Sequence, residues 1–378
     1  MNGNRRTGTG ETLICLTVVT GVLLATVRNA RADFVFGQAQ NAGPVINTSL
    51  TEIEPIPEPL ALWFERRSGP RGSWEIWRAP RATEDAPWET PLNLGPWDDS
   101  YWNLIKTLPR YTTADGLELY FYAGPDLSGG YGGYDLWMKK REKIDDDWGP
   151  VVNVGPTVNS GYAEALPAVS PDGLELYFSG WGLQNRPGGH GKTDLWVTRR
   201  STRNDAWGEP VNLGSMVNTA SNDQRPILVG DGLLLFFESN RPGGLGGVDL
   251  YMMRRATVAD PWTEPINLGP EVNSPSSDEQ GFLSPDGSTL YFHSNRPGGY
   301  GIYDIWQVSV EPIVDFNGDG AVDCVDVCDL VDHWGTDNSL YDVGPTPFGD
   351  GVVDAQDLIV LVEHLLGDTT DGNDVNDL

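Results

Sequence analysis

One unit repeats along most of this chain, and the repeat constrains the fold more than any other feature of the sequence. The segment Ala163–Gly214 contains, in order, SPDG, LYF, RPGG, DLW and EPVNLG. The same order returns downstream, last as SPDGSTLYFHSNRPGGYGIYDIW. The aspartates of the Asp-Gly turns are 57, 59 and 55 residues apart; they are Asp115, Asp172, Asp231 and Asp286. A supersecondary unit repeated at a nearly fixed period predicts a repeat architecture.

Each unit contains four predicted strands. The first leads into Asp-Gly, which is a tight hairpin signal, and the second carries LYF. A Gly-rich loop, which can adopt positive φ, joins the second strand to DLW in the third. The fourth strand carries the PxNLG motif and is predicted to begin at a tryptophan: Trp88, Trp148, Trp207 or Trp262. Four short strands in roughly 55 residues are typical of a β-propeller blade.

The number of strands predicts how the ring closes. The set of three strands occurs five times, the earliest as a degenerate copy near Glu52–Arg78, but the fourth strand follows only four of the sets. The segment Phe34–Gly43 resembles the end of the missing strand. We therefore predict an all-β, five-bladed propeller over 33–310, in which the N-terminal strand completes the last blade and removes exposed sheet edges. An open stack of units is the alternative, and it leaves Phe34–Gly43 without a role.

The run SPDG–LYF–SNRPGG–DLW resembles the WD-repeat-like propeller repeat of TolB-type proteins and of other secreted bacterial proteins. The resemblance covers about 34–310, and three copies match nearly residue for residue. The first unit departs from the pattern because it lacks the Asp-Gly turn. The resemblance implies binding and scaffolding more often than a reaction.

The N-terminal segment 1–32 reads as a signal peptide. Arg5 and Arg6 precede the apolar run Leu13–Val27, and Ala30 and Ala32 fit a small-x-small cleavage site. The run is shorter than the roughly 20 residues that a membrane-spanning helix needs. We therefore expect export to the extracellular space, the cell surface or the periplasm, without membrane insertion after cleavage.

Acidic residues are concentrated at the C-terminal end. The chain has 54 acidic and 25 basic residues, and 311–378 contains 17 acidic residues with no Lys or Arg. The net charge of −29 argues against nucleic acid as a partner. A block of like charge predicts either a disordered tail or a cation site.

The spacing of the aspartates favours a calcium site. DFNGDGAVDCVD places oxygen ligands at the alternating positions of an EF-hand loop, with Gly320 at the sharp turn. The predicted ligands are Asp315, Asn317, Asp319, the Ala321 carbonyl, Asp323 and Asp326. A second loop would use Asp350, the Val352 carbonyl, Asp354 and Asp357. Its first and third positions are Thr346 and Phe348, which are poor ligands, and Asp342 is an alternative.

These two loop–helix halves, over about 314–367, resemble a type I dockerin module. The resemblance implies Ca²⁺ binding and docking on a cohesin-like partner. The contact pair after position 9, often Ser-Thr in dockerins, is here Cys324-Val325 in one half and Ala355-Gln356 in the other. We assign 311–367 to this dockerin-like domain and 368–378 to a disordered acidic tail.

A second candidate site lies in the propeller. One charged position precedes each innermost strand, namely Glu52, Lys106, Glu164, Asp223 and Asp278. If the innermost strands line the channel, these charges meet at one mouth, where they could bind a cation or a sugar. Five-bladed glycosidases work with two carboxylates about 5–10 Å apart. The alternative is that the fold needs a polar cap at this position.

Other recurring residues predict structure instead of chemistry. The aspartates that begin the third strands occur once per blade, so we expect them to hydrogen-bond the Gly-rich turns; they are Asp135, Asp194, Asp249 and Asp304. Cys324 and Cys328 are expected to be packed or free thiols. The sequence predicts a non-catalytic monomer that binds a glycan or a protein ligand, with a carbohydrate-active hydrolase as the alternative.

Overall fold

A computed structural model describes residues 34–68, 72–96, 111–124, 127–180, 186–229, 232–255, 257–316, 322–336, 341–344 and 352–367. Five antiparallel sheets form the blades of a five-bladed β-propeller. The first strand of a blade lies innermost, and the inner strands of neighbouring blades contact each other around the central channel. The predicted five-bladed β-propeller is confirmed for this part of the chain.

The strands follow the repeat. Blade 1 contains β3 (Glu52–Glu58), β4 (Ala61–Arg66), β5 (Glu75–Pro80) and β6 (Leu92–Gly95). Blade 2 contains β7 (Glu118–Ala123), β8 (Asp135–Lys140) and β9 (Val152–Asn153), and its inner position is marked by a bridge from Thr112 to Leu119. Blade 3 contains β10 (Glu164–Val169), β11 (Glu175–Gly180), β12 (Leu195–Arg199) and β13 (Val211–Asn212). Blade 4 contains β14 (Asp223–Val229), β15 (Leu234–Ser239), β16 (Asp249–Arg254) and β17 (Ile266–Asn267).

Blade 5 is completed by the N-terminal segment, as the sequence predicts. Its own strands are β18 (Asp278–Leu283), β19 (Thr289–Ser294) and β20 (Asp304–Pro312). Two short strands, β1 (Phe34–Phe36) and β2 (Gln40–Asn41), pair with β20 in antiparallel register. The edge of the last blade is therefore covered by the first described residues of the chain.

The outer strands differ from the prediction. They are two to four residues long and begin after the tryptophan, not at it. The tryptophan instead packs under an arginine that follows the third strand, as in Arg200 over Trp207 at 4.3 Å and Arg255 over Trp262 at 4.5 Å. Arg255 also pairs with Glu175 of the preceding blade at 2.6 Å. The tryptophan therefore takes part in a cation–π and ion-pair unit that joins neighbouring blades, and not in the outer strand.

The recurring aspartates hold the Gly-rich loops, as predicted. Asp249 accepts hydrogen bonds from the N–H groups of Leu245 and Gly246 at 2.5 and 3.0 Å and from the Asn267 amide at 2.9 Å. The equivalent aspartates of the other blades with this loop are Asp135, Asp194 and Asp304. Each loop is thereby fixed against the next blade.

Glycine is required where these loops meet the neighbouring blade. A Cβ on Gly246 would lie 2.0 Å from the Ser276 carbonyl oxygen and 2.1 Å from that of Ser274. The equivalent glycines are Gly132, Gly191 and Gly301, and the last of these faces Leu50 of blade 1. The contact is therefore present at four junctions between blades, including the one between the last blade and the first.

Two helices follow the propeller: α1 (Cys324–Asp332) and α2 (Ala355–Gly367). They share a small apolar core of Val314, Leu330, Val343, Val353 and Leu361. Cys324 and Cys328 are exposed free thiols. No helix among the described residues is long and apolar enough to cross a membrane.

Candidate functional site

A bulge in each described inner strand turns one side chain into the channel. In blade 4 the register of β14 against β15 shifts between Gln224 and Ile227, and Arg225 adopts a φ of 56°. The residues with positive φ at the equivalent positions are Glu54, Leu166 and Gln280. Because the left-handed conformation also occurs at Leu166, we attribute it to the fold and not to one particular site.

Arg225 spans the channel. Its Nη1 lies 3.5 Å from Glu54 Oε1, although blades 4 and 1 are not neighbours in a five-bladed ring. Its Nε lies 3.4 Å from Glu238 Oε2 on the adjacent strand. Its backbone N–H donates to the Ser179 hydroxyl of blade 3 at 2.9 Å. The guanidinium therefore lies near the axis, between carboxylates of two blades.

Gln280 of blade 5 connects the same two carboxylates. Its backbone N–H donates to Glu238 Oε1 at 2.7 Å, and its Nε2 donates to Glu54 Oε1. Gln224 adds a bond of 3.2 Å to Glu238. Glu238 is only 1% exposed, so protein groups occupy its surroundings almost completely.

Glu279 lies beside this network and is more open. It accepts a hydrogen bond from the Tyr303 hydroxyl at 3.2 Å, and His293 Nε2 lies 3.9 Å from its other oxygen. The His293 ring packs edge-on against Tyr303. The side chains of Glu279 and Glu54 are 17% and 13% exposed. We define the mouth cluster as Glu54, Arg225, Glu238, Glu279, Gln280, His293 and Tyr303.

Burial dominates the electrostatics of the mouth cluster. It raises the pKa of Glu238 to about 7, with Arg225 opposing and Glu279 reinforcing the rise. Burial also raises the pKa of Glu279, again opposed by Arg225. The pKa of His293 is lowered well below its usual value by burial and by the nearby Arg225, so the imidazole is neutral. The cluster contains three carboxylates for one cationic side chain.

The mouth-cluster residues are not repeated in the four blades whose inner strands the structure describes. In blade 3 the corresponding positions of the inner and second strands are Ala165, Leu166 and Ser179. Sequence reasoning missed the cluster because it singled out positions that recur. Positions that differ between blades would have indicated the cluster. These are the second and third positions of the inner strand and the fifth position of the second strand.

The structure places the predicted channel carboxylates at the first position of their inner strands and buries them within their own blades. Asp223 bonds Thr219 Oγ1 at 2.8 Å, Ser239 Oγ at 2.6 Å and Arg241 at 2.7 Å. Glu52, Glu164 and Asp278 have equivalent Thr or Ser and Arg partners. Burial raises the pKa of both Glu52 and Glu164. Lys106 lies outside the described residues.

The predicted calcium loops are described only in part, since Asn317, Asp319, Ala321 and Asp350 lie outside the described ranges. Within those ranges no group of three His, Cys, Asp or Glu side chains is arranged to hold a metal. Asp326 is fully buried and accepts from the N–H groups of Phe316 at 2.7 Å and Asp323 at 2.9 Å. Asp323 caps α1.

The second loop repeats this arrangement. Asp357 is fully buried and accepts from the N–H groups of Val343 and Asp354, both at 2.6 Å. Val343 thus corresponds to Phe316, and the residue before it, Asp342, corresponds to Asp315. By this correspondence Asp342, and not Thr346, aligns with the first position of the predicted loop. The oxygen donors of both loops fit a hard cation such as Ca²⁺.

A cavity of about 350 Å³ opens at the opposite mouth of the channel. Each blade contributes to its lining, as shown by Pro57, Thr113, Pro171, Leu228 and Pro285. The ionisable side chain in its described lining is Glu58. This mouth is therefore less polar than the one that holds the mouth cluster.

Comparisons with known proteins find the propeller in proteins of several kinds. No protein-family model and no curated protein matches the sequence. TolB from Acinetobacter baumannii is 16% identical with a TM-score of 0.38, and the match covers 71% of this chain but only 56% of that one. An α-L-arabinofuranosidase from Lactobacillus brevis is 15% identical with a TM-score of 0.41, covering 72% and 93%. An endo-arabinase from Bacteroides thetaiotaomicron is 14% identical with a TM-score of 0.41, covering 74% and 97%. These similarities are at the level of the fold alone.

Proposed function

We propose that the protein is an exported, non-catalytic glycan-binding protein that takes its ligand at the mouth cluster. The observation that carries this proposal is the position of Arg225, which joins Glu54 and Glu238 across the channel. Planar polar side chains held in fixed positions are suited to the hydroxyl groups of a sugar, because each can make directed hydrogen bonds.

Exposed tyrosines around the same mouth support a glycan ligand. Tyr131 and Tyr134 lie on the Gly-rich loop of blade 2, and Tyr300 lies on that of blade 5. Tyr134 packs edge-on against Tyr122. The loops are fixed by Asp135 and Asp304, so the rings are presented on an ordered frame. An aromatic ring offers a flat apolar face with a polar tip, which suits the face of a pyranose.

The burial of Glu238 favours binding over hydrolysis. Glycoside hydrolysis needs two carboxyl groups that both reach the scissile bond or its water. The pKa of Glu238 is raised to about 7, but its oxygens are held by Gln280 and Gln224 and it is nearly inaccessible. It acts here as a charge that positions Arg225.

A glycoside hydrolase is the second candidate, and Glu279 is the residue that favours it. Its carboxyl group is partly exposed with a raised pKa, as a general acid requires, and Glu54 is a partly exposed carboxylate of blade 1. In this reaction Glu279 would protonate the leaving oxygen and Glu54 would act as base or nucleophile. Release of reducing sugar from a bound polysaccharide, lost in Glu279→Gln, would establish it.

We propose that the C-terminal helices form a dockerin-like, calcium-binding module that docks on a cohesin-like partner. The first loop would use Asp315, Asn317, Asp319, Ala321, Asp323 and Asp326; the second would use Asp342, Asp350, Val352, Asp354 and Asp357. A bound cation neutralises clustered carboxylates and so couples binding to folding. The equivalent, fully buried positions of Asp326 and Asp357 support this proposal.

The glycan proposal is tested by binding to a panel of polysaccharides. We expect Arg225→Gln and the double variant Tyr131→Ala/Tyr300→Ala to lose affinity. The first removes the guanidinium of the mouth cluster, and the second removes two exposed aromatic rings. Glu58→Ala at the opposite mouth is the matched control and should bind as the unmodified chain does. If Glu58→Ala alone lost binding, the ligand would bind at the opposite mouth and the proposal would be wrong.

A further inference from the structure

We infer that the glycan bound at the mouth cluster is an amino sugar with a free primary ammonium group, which lies between Glu279 and Glu54. The inference rests on the proposed function and adds the chemical class of the ligand. An ammonium group carries one positive charge and up to three N–H donors, all of which need acceptors when they leave water.

The mouth cluster has an excess of negative charge. Among the described residues, Glu54, Glu238 and Glu279 face one guanidinium, that of Arg225. His293 is kept neutral and Tyr303 is an uncharged donor, so neither balances the remaining carboxylates. The raised pKa values of Glu238 and Glu279 reflect the same imbalance, because burial without a counter-charge disfavours the ionised form. A second cation would restore the balance.

Hydrogen-bonding capacity in the cluster is also unused. Gln280 Nε2 donates to Glu54, which leaves Oε1 of the same amide as an acceptor. Gln280 Oε1 and His293 Nδ1 are both buried, and neither has a hydrogen-bond partner among the described residues. Both side chains are more than nine-tenths buried and lie within the cluster. Gln280 Oε1 is therefore a buried acceptor that an N–H donor of a ligand would satisfy.

A sugar amine fits better than a bare metal ion. Arg225 already lies 3.4 to 3.5 Å from two of the carboxylates, so those oxygens cannot all converge on one metal. Glu279 and Glu54 are the open members of the cluster and are the groups that a ligand can reach. The tyrosine rings of blades 2 and 5 then face the rest of an oligosaccharide.

The test compares three hexasaccharides of equal length on the full chain: glucosamine, N-acetylglucosamine and glucose oligomers. We expect the glucosamine hexamer to bind about ten- to a hundredfold more tightly than the other two, which is the range for a charge-assisted hydrogen bond. Glu279→Gln, which removes the charge and keeps the shape, should reduce the preference to about twofold or less. Glu58→Gln should keep it.

The paired variants separate site binding from general attraction to an acidic protein. A preference that survives Glu279→Gln would overturn the inference, since it would come from the net charge of −29. Equal binding of the three hexamers would overturn the amino-sugar assignment and leave the glycan proposal intact, whereas failure of all three and of the polysaccharide panel would overturn both. A lysine hexapeptide that binds as tightly as the glucosamine hexamer would overturn the sugar assignment in favour of a peptide.

Discussion

Asn41 Nδ2 donates to Asp304 Oδ2 at 2.8 Å across 263 residues of sequence. In the other blades with this motif the same bond forms locally, as between Asn153 and Asp135 at 3.0 Å and between Asn267 and Asp249 at 2.9 Å. The N-terminal segment thus supplies to blade 5 an interaction that the other blades make within themselves. Closure of the ring depends on the N-terminal segment, which takes the place of the missing outer strand of blade 5.

Because Asn41 lies where the ring closes, we expect its substitution to weaken blade 5 more than substitution of the equivalent asparagine of another blade does. Asn41→Ala removes bonds to Asp304 and Asn47. We expect a loss of about 1–3 kcal/mol in the free energy of unfolding and a melting temperature lower by several degrees. Hydrogen exchange should increase along β20. Asn153→Ala is the control and should leave exchange in β20 unchanged; equal exchange in the two variants would contradict the prediction.

Gly246→Ala should destabilise the propeller by at least about 1–3 kcal/mol, because the added methyl meets two backbone oxygens of the next blade. The measurement is chemical denaturation monitored by tryptophan fluorescence. Gly161→Ala is the matched control, since a Cβ there meets nothing within 4 Å. If the two variants are equally stable, the loops do not hold the blades together.

Glu238 predicts a pH dependence of stability. Its pKa is about 7 in the folded chain against 4.5 for the free side chain. A raised folded pKa gives stability that is complete below the unfolded pKa and is lost as the pH rises through the folded pKa. Relative to Glu238→Gln, the unmodified chain should therefore lose roughly 1–3 kcal/mol between pH 4.5 and 8. Denaturation curves at several pH values measure this, and parallel profiles for the two proteins would refute it.

Calcium should stabilise the C-terminal helices of the full chain. We expect EGTA to lower helical circular dichroism and increase hydrogen exchange in α1 and α2, because clustered carboxylates repel one another without a cation. Asp326→Ala should abolish the response of the first loop, and Asp342→Ala should weaken calcium binding by the second. Asp329→Ala, on α1 outside the proposed ligand set, is the control. If Asp342→Ala bound the same number of calcium ions, Asp342 would not be the first ligand of the second loop.

Much of the fold could be predicted from the sequence because the same pattern of motifs recurs in several copies, and an error that repeats in each copy is improbable. The Asp-Gly turns, the LYF strands and the missing fourth strand together gave the number of blades and the role of Phe34–Gly43. The outer strands were predicted too long because Trp88 and its equivalents suggested a strand start. Their partners, such as Arg81 and Arg255, lie seven residues before the tryptophans. Strand periodicity does not indicate a cation–π contact across the intervening turn, so this packing was not predicted.

The mouth cluster could not be predicted by the same reasoning. Simple alternation along a strand does not anticipate the bulge that turns Glu54, Arg225 and Gln280 into the channel. Recurring charges such as Asp223 drew attention instead, and the structure places them in local bonds to Thr219 and Arg241. In the second loop, the regular 12-residue spacing gave the first position to Thr346 and left Asp342 only as an alternative, because that loop is longer than the first.

The strands β1 and β2 also set an order of events during synthesis. They are made before every other strand of the propeller, yet the strand they pair with ends at Pro312 and is the last strand of the propeller to be made. Four blades can be complete while the fifth still lacks its outer edge. The ring therefore cannot close until β20 has been made. Any factor that protects the nascent protein must keep residues 34–41 available for pairing while some 270 further residues are synthesised.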